Sequence, residues 1–339
     1  MIQGLAEMAL GSPLLEKYKG KVKLIFTSPP YPLRTKKSYG NRTGQGFVYW
    51  LASLAPVLSE YLSKKGSVVI EMGNAWEPGR PIMSVLGLQS LLRFMEAGEF
   101  DLCQQFVCEN PARLPGPAQW VNVERIRVKD SFTHVWWMAA GERPDANNKR
   151  VLNDYSPAMK ALLKRQSYNS GVRPSEHNVS KNGFLKKHKG AIPSNVLRFS
   201  NTSSQDDYLR YCREHKLATH PARMPAQLAE FFIKFLTKPG DVVMDPFAGS
   251  NTTGAAAERL DRKWIAIEPT ADYIRGSVGR FGAKRPKLQP LLRSVNGKGK
   301  PRRAKSRRKG TSRLRAPQTR KAGHQKNTGL SPRHRRKAR

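Results

Sequence analysis

Acidic residues are scarce and unevenly placed. The chain has 25 Asp+Glu against 61 Lys+Arg, a formal net charge of +36 over 339 residues, and none of the acids falls between Ala283 and Arg339. That closing stretch holds 22 Lys+Arg, which leaves +14 for residues 1–282. Both parts are basic, so the partner implied is a polyanion whether or not the tail is counted. Cysteine is nearly missing. Cys103, Cys108 and Cys212 have no C-x-x-C spacing, and reduced, packed thiols in a cytoplasmic protein are the simple reading. The seven histidines are scattered, with no H-x-x-x-H and no Cys/His cluster, so no metal set is expected. No apolar run of 18 residues occurs, and the first residues lack a charged segment followed by an apolar one, so neither a membrane span nor an export signal is expected. There is no internal repeat and no G-x-G-x-x-G.

Two stretches carry chemistry. In the first, Val22 to Phe26 is an apolar run that predicts a buried strand, and it ends abruptly at Ser28-Pro29-Pro30-Tyr31. Two prolines fix φ and remove two N–H donors, so the strand stops and the backbone stiffens. A stiff loop with free carbonyl acceptors and an aromatic ring then stands at the C-terminal end of a strand, where open α/β sheets bind ligands. A Pro-rich turn or a docking peptide would show the same four residues; the strand before them argues for a site.

The second stretch, Asp241-Val242-Val243-Met244-Asp245-Pro246-Phe247-Ala248-Gly249-Ser250-Asn251-Thr252-Thr253-Gly254, predicts a short buried strand, a small-residue turn and a helix through Ala255, Ala256, Ala257 and Glu258. Lys263 to Glu268 predicts a further strand ending in a carboxylate. Strand, turn, helix, strand, acid is the logic of a nucleoside-binding βαβ unit, with the acid on ribose hydroxyls. Gly249 and Gly254 have P-loop spacing, but Ala255 stands where the phosphate-binding lysine belongs. Asp245 at the strand tip would also repel a triphosphate. A nucleoside with little negative charge is implied, and S-adenosylmethionine fits.

Together the two stretches resemble the DNA amino-methyltransferases, which combine a (D/N/S)-P-P-(Y/F) catalytic loop with a D-x-F-x-G-S cofactor loop. The catalytic loop comes first here, as in the permuted beta class, and Ser28 in its first position is similar to the N4-cytosine branch. His220-Pro221-Ala222-Arg223-Met224-Pro225, Trp120-Val121-Asn122 and Arg127-Val128-Lys129-Asp130 also look like modification methylases of type II restriction systems. No cysteine follows a proline, which disfavours the Pro-Cys nucleophile of C5-cytosine enzymes. The family's strand and Gly-Asp turn upstream of the catalytic strand correspond here only to Ile2-Gln3-Gly4-Leu5, without the acid.

The resemblance implies a Rossmann-like α/β sheet with an antiparallel edge hairpin, an inserted target-recognition region and a disordered basic tail. Residues 1–142 become the catalytic half, 143–219 the recognition region, 220–282 the cofactor half and 283–339 the tail. It implies Ser28, Pro29, Pro30 and Tyr31 as the catalytic loop around an extruded cytosine. Asp245, Pro246, Phe247, Gly249, Ser250, Thr252 and Glu268 become the S-adenosylmethionine site. The partner becomes double-stranded DNA, methylated by a monomer, with a restriction endonuclease as functional counterpart, in a bacterial or phage setting and near the nucleoid. Two alternatives stay open: adenine N6 methylation on the same fold, and a DNA-binding protein with a degenerate methylase core.

Elsewhere the expectations are coarser. Residues 1–20 carry few structure signals. Lys21, Lys23, Arg34, Lys36, Lys37 and Arg42, with Tyr39, form a basic neighbourhood suited to phosphate. Phe47, Trp50, Leu51, Leu54, Leu58 and Leu62 mark a core helix, Ser67 to Met72 a strand, and Leu88, Leu91, Leu92 and Met95 another helix. Phe100–Glu109 and Ser131–Ala140 read as an antiparallel pair closing the sheet, with one of Trp136 and Trp137 in the core and the other available to flank a base. From Arg143 to His220 there are 15 Lys+Arg and 6 acids with little periodicity, as in a binding loop. Arg165, Gln166, Asn169, Arg173, His177, Asn178 and Asn182 are its candidate readers of base edges. Pro225 to Leu236 reads as an amphipathic helix, Asp272 to Arg280 as the last one, and the tail as a source of salt-sensitive DNA affinity.

Overall fold

The computed structural model describes residues 1–31, 42–200 and 206–282 and the backbone of 289–290. In chain order its strands are β1 (Ile2–Gln3), β2 (Val22–Thr27), β3 (Leu62–Gly73), β4 (Asp101–Glu109), β5 (Phe132–Ala139), β6 (Gly171–Val172), β7 (Asn178–Val179), β8 (Val196–Arg198), β9 (Val242–Asp245), β10 (Lys263–Glu268) and β11 (Gln289–Pro290). The α-helices are α1 (Ala6–Leu10), α2 (Pro13–Glu16), α3 (Gln45–Tyr61), α4 (Leu86–Gly98), α5 (Pro157–Arg165), α6 (Asp207–Glu214), α7 (Ala226–Leu236), α8 (Thr252–Arg259) and α9 (Ala271–Ser277).

Among the described residues, nine strands form one sheet in the order β11-β1-β10-β9-β2-β3-β5-β4-β8. β9 and β2 are parallel neighbours at its centre. From β2 the chain moves outward to β3; from β9 it moves the other way to β10. The order in which the chain adds strands therefore reverses between β2 and β9, and the crevice beyond their C-terminal ends is where such sheets take ligands. The central strands are apolar on both faces because helices cover both: Leu24, Ile25, Phe26, Val243 and Met244 are fully buried. One layer of core gathers Phe47, Leu51, Leu54 and Leu58 of α3 with Phe94 of α4; the other gathers Leu228, Phe232, Ile233 and Leu236 of α7 against Phe26, Phe106 and Trp137. Their spacing of three and four residues sets these side chains on one helical face.

Several expectations need correcting. Residues 1–20 are structured: β1 pairs in parallel with β10, Ile2 opposite Ile267 and Gln3 opposite Glu268, and α1 and α2 follow. Two residues are too few to show a period, so the strand is invisible in sequence. The β4–β5 hairpin forms, Asp101 opposite Ala139, but it does not close the sheet, since β8 adds in parallel to β4, Cys108 opposite Leu197. Trp136 and Trp137 are both core, 1% and 8% exposed; helices cover both faces here too, so alternation does not free either ring. Residues 143–220 hold more order than their composition suggests, with α5, the β6–β7 ladder, β8 and α6. Tyr208 and Cys212 of α6 are fully buried. Lys23 is ion-paired to Asp145 and so is not a free phosphate contact. Arg34, Lys36, Lys37 and Tyr39, and the tail apart from the backbone of 289–290, lie outside the described residues.

Candidate active site

Adjacent parallel strands bring the two distant stretches together. Thr27, the last residue of β2, donates its hydroxyl to Asp245 Oδ1 at the end of β9 at 2.7 Å. Thr253, in the first turn of α8, donates to Asp245 Oδ2 at 2.7 Å, and the Phe247 amide reaches Oδ1 at 3.0 Å. Asp245 is 3% exposed. Burial pushes its carboxyl above the usual range, while these three donors pull it back. The aspartate thus braces the tip of β2, the turn after β9 and the start of α8, besides facing the crevice.

Ser28, Pro29, Pro30 and Tyr31 and Asp245, Pro246, Phe247, Gly249, Ser250, Thr252 and Glu268 all line one cavity of about 350 Å³. The turn within it is held tightly. Gly249 has φ +51°, and a Cβ there would stand 2.9 Å from His220 Nε2, so only glycine fits without strain. Its N–H donates to Glu268 Oε2 at 3.0 Å, and the Thr270 amide donates to Oε1 at 2.9 Å. Burial raises the Glu268 pKa against those donors. Asn251, with φ +57°, caps α8 by accepting the Gly254 amide at 3.2 Å. Arg280 fastens the turn from outside, giving Nε to the Ser250 carbonyl at 2.8 Å and Nη2 to Ser250 Oγ at 2.9 Å. The far wall is aromatic and comes partly from the first helices: Trp50 meets Phe247 edge-on at 5.4 Å and donates to Glu7 at 2.5 Å, and Leu5, Ala6 and Glu7 line the cavity. Buried carboxylates, turn amides and aromatic walls in one crevice form a donor and acceptor set that suits a nucleoside.

The loop Ser28–Tyr31 has a partner that sequence reasoning passed over. Glu71, near the end of β3 and 5% exposed, accepts the Ser28 hydroxyl at 2.5 Å and the Tyr31 hydroxyl at 2.6 Å, both at Oε2. Ser28 has one proton to give. With that hydrogen directed at Glu71, the lone pairs of Ser28 Oγ remain as acceptors. Burial, with the Glu71 charge next, holds the Tyr31 pKa well above its ordinary value, so the phenol stays a donor. The Tyr31 ring packs on Gly73, where any side chain would overlap the ring at 2.4 Å. The sequence did show Glu71 at a strand end, three residues before Asn74; what it hid was that β2 and β3 are neighbours with Thr27 opposite Ile70.

His220 stacks edge-on to Tyr273 at 4.8 Å and backs the Gly249 turn. Burial lowers its pKa to about 4. No cysteine is set up as a nucleophile: burial raises all three thiols, Cys108 to about 12. Among the described residues no group of His, Cys, Asp and Glu gathers to hold a metal ion, and no helix is long and apolar enough to cross a membrane. The candidate base readers stand on or beside the β6–β7 hairpin, whose turn is closed by the Arg173 amide on the His177 carbonyl at 2.9 Å; all but Arg173 are exposed.

Known proteins resemble this chain in sequence and in fold. The DNA methylase family model matches residues 22–278. The type II methyltransferase M.PvuII of Proteus hauseri is 42% identical over 271 residues, covering 79% of this chain and 80% of that protein. The solved PvuII DNA methyltransferase (cytosine-N4-specific) superposes with a TM-score of 0.65 at 35% identity, covering 87% of each chain. The Thermus thermophilus protein TTHA0409, complexed with S-adenosyl-L-methionine, shares the fold with a TM-score of 0.52 at 19% identity, over 87% of this chain and 98% of that one.

Proposed function

Because the chain belongs to the DNA methylase family, we propose that it is a site-specific DNA methyltransferase that modifies the exocyclic N4 of cytosine in double-stranded DNA. The observation that carries the reading is the joining of the two loops. Thr27 is bonded to Asp245, and Ser28 faces the cavity that Asp245 and Glu268 line. S-adenosyl-L-methionine is the cofactor. When bound it supplies a methyl group whose bond to the sulfonium breaks as the bond to N4 forms. Glu268 takes its ribose, and Asp245, Pro246, Phe247, Gly249, Ser250 and Thr252 surround the remainder.

The chain's own residues prepare the amine. An exocyclic amino nitrogen is a poor nucleophile because its lone pair is delocalised into the ring. The target must also leave the duplex to be reached. Ser28 Oγ, its own hydroxyl hydrogen donated in a hydrogen bond to Glu71, and the Pro29 carbonyl accept the two N4 hydrogens and localise the lone pair. Glu71 at 2.5 Å is placed to take the proton released as N4 gains its methyl, passed on through the Ser28 hydroxyl. Pro29 and Pro30 hold these acceptors in place before the base arrives. Tyr31, anchored at its hydroxyl, offers its ring to the base, a contact worth roughly 1–3 kcal/mol in base–aromatic stacking.

In this reading residues 1–142 are the catalytic half, 220–282 the cofactor half and 143–219 the reader of the site, through side chains such as Arg165, Gln166 and Asn169. The protein acts as a monomer on DNA in the cytoplasm, at the nucleoid, with a restriction endonuclease as its counterpart. The test is transfer of labelled methyl from S-adenosylmethionine to unmethylated DNA by wild type and by Ser28→Ala. The expected result is labelled DNA with wild type, and a loss of turnover of at least 100-fold with cofactor affinity within about threefold for the variant. Equal loss of both in Ser28→Ala contradicts the assigned role; unlabelled DNA with wild type contradicts the function.

A further inference from the structure

The segment 110–131, between β4 and β5, leaves the sheet at the end that carries the catalytic loop. β5 runs antiparallel to β3 with Thr133 opposite Gly73, and Gly73 is the residue on which the Tyr31 ring rests. This segment displays apolar side chains to solvent: Val128 is 87% exposed, Leu114 83%, Val123 68% and Ile126 57%. Large apolar side chains gathered in the open mark a surface that something covers. Cations are interleaved with them, Arg113, Arg125, Arg127 and Lys129 against Glu124 and Asp130.

The segment is braced. Arg127 donates to the Pro81 carbonyl at 3.2 Å and pairs with Asp130 at 3.5 Å, which also accepts the Asn74 amide at 3.5 Å. Arg113 donates to the Phe132 carbonyl at 3.1 Å. The Ile126 and Arg127 amides both reach the Trp120 carbonyl, at 3.0 and 3.2 Å. Lys129 reaches back to the carbonyls of Pro111 at 3.3 Å and Arg113 at 3.5 Å. That last contact ties together the two stretches that carry Leu114 and Val128, each next in sequence to one of its residues. Two exposed apolar side chains on a pre-ordered frame, on a segment with more cations than acids and beside the site that must receive a base, match the wedge by which proteins part stacked bases.

We propose that Leu114 and Val128 enter the DNA duplex where the target cytosine leaves it, holding the gap open, while the exposed Arg125 and Lys129 meet the flanking phosphates. The occupant follows from charge complementarity and from the distance of one residue between Asn74, which holds the segment, and Gly73, which holds Tyr31. The inference rests on the DNA-methylation reading and names how the duplex is opened for it.

The test uses the full chain carrying Leu114→Ser with Val128→Ser, on a duplex containing the site found by mapping methylated cytosines. Both side chains are exposed, so melting temperature and cofactor affinity should match wild type. A fluorescent cytosine analogue at the target should brighten with wild type and stay dark with the variant. Methyl transfer to the paired duplex should fall at least tenfold. Transfer to a duplex whose target cytosine faces an abasic site should remain within twofold of wild type, because that base needs no wedge. An unchanged rate on the paired duplex overturns the proposal, as does an equal loss on both substrates. So does a wild type that sediments as a dimer and becomes monomeric on substitution, since a second copy would then cover this face. A wild type that methylates neither duplex overturns the methylation reading and the wedge with it; the other contrary outcomes, obtained with an active wild type, overturn the wedge alone.

Discussion

Glu71 accepts the Ser28 hydroxyl, and in the proposed mechanism the direction of that hydrogen decides whether Ser28 presents an acceptor or a donor to the target amine. Glu71→Gln keeps the shape but can give a hydrogen bond back to Ser28 and takes no proton. It should lower turnover by roughly 10²–10⁴, the usual range for an acid–base group, with cofactor affinity unchanged; single-turnover rates and a cofactor titration check this. His220 supplies a pH dependence. Its folded pKa of about 4 lies below the ordinary 6.5. Above pH 6.5 both folded and unfolded chains hold it neutral and it contributes no slope. As pH falls from 6.5 towards 4, the unfolded chain takes up a proton that the folded one refuses, so stability drops by up to roughly 1.4 kcal/mol per pH unit. Melting temperature followed from pH 7 to pH 5 should fall less in His220→Gln than in wild type; parallel curves would contradict the assignment. These residues were legible to different degrees. Ser28 and Asp245 announced themselves by their neighbours in sequence and His220 by the stretch it opens, whereas Glu71, and the place of His220 behind Gly249, gain meaning only from strands and turns far away in the chain.

At the scale of elements, the small-residue turn after β9 couples the two halves of the site. Gly249 has φ +51° and His220 stands behind it, so Gly249→Ala should strain the turn by about 1–2 kcal/mol and weaken cofactor binding about tenfold, read by calorimetry. Binding at wild-type strength would show that the turn's conformation does not matter to the cofactor. The strand–turn–helix–strand pattern of this unit was readable from apolar runs and glycines. β1 and β8 were not, because two or three residues carry no periodicity and both borrow their order from a neighbouring strand. The role of Asp245 was half legible: an acid at a strand tip suggests a ligand contact, but its bonds to Thr27 and Thr253 make it first a brace between elements.

For the whole molecule, basic charge is divided between residues 1–282, with +14, and the stretch 283–339, with its 22 Lys+Arg and no acid. Deleting 283–339 should flatten the dependence of DNA affinity on salt, since every phosphate the protein no longer neutralises takes close to one unit off the slope. It should leave the methylated base and the site unchanged. A shift in site preference would show that the tail reads sequence. The overall architecture was legible because the central strands are continuous apolar runs with punctuated ends, and the order of the two loops along the chain implied the permuted arrangement. The β2–β9 pairing, which makes a single site of them, was not written in any local pattern. The most direct measurement of the central claim is mass spectrometry of nucleosides from DNA incubated with the purified protein and S-adenosylmethionine. N4-methylcytosine is the predicted product. N6-methyladenine in its place, or no methylated nucleoside while DNA is still bound, would contradict it.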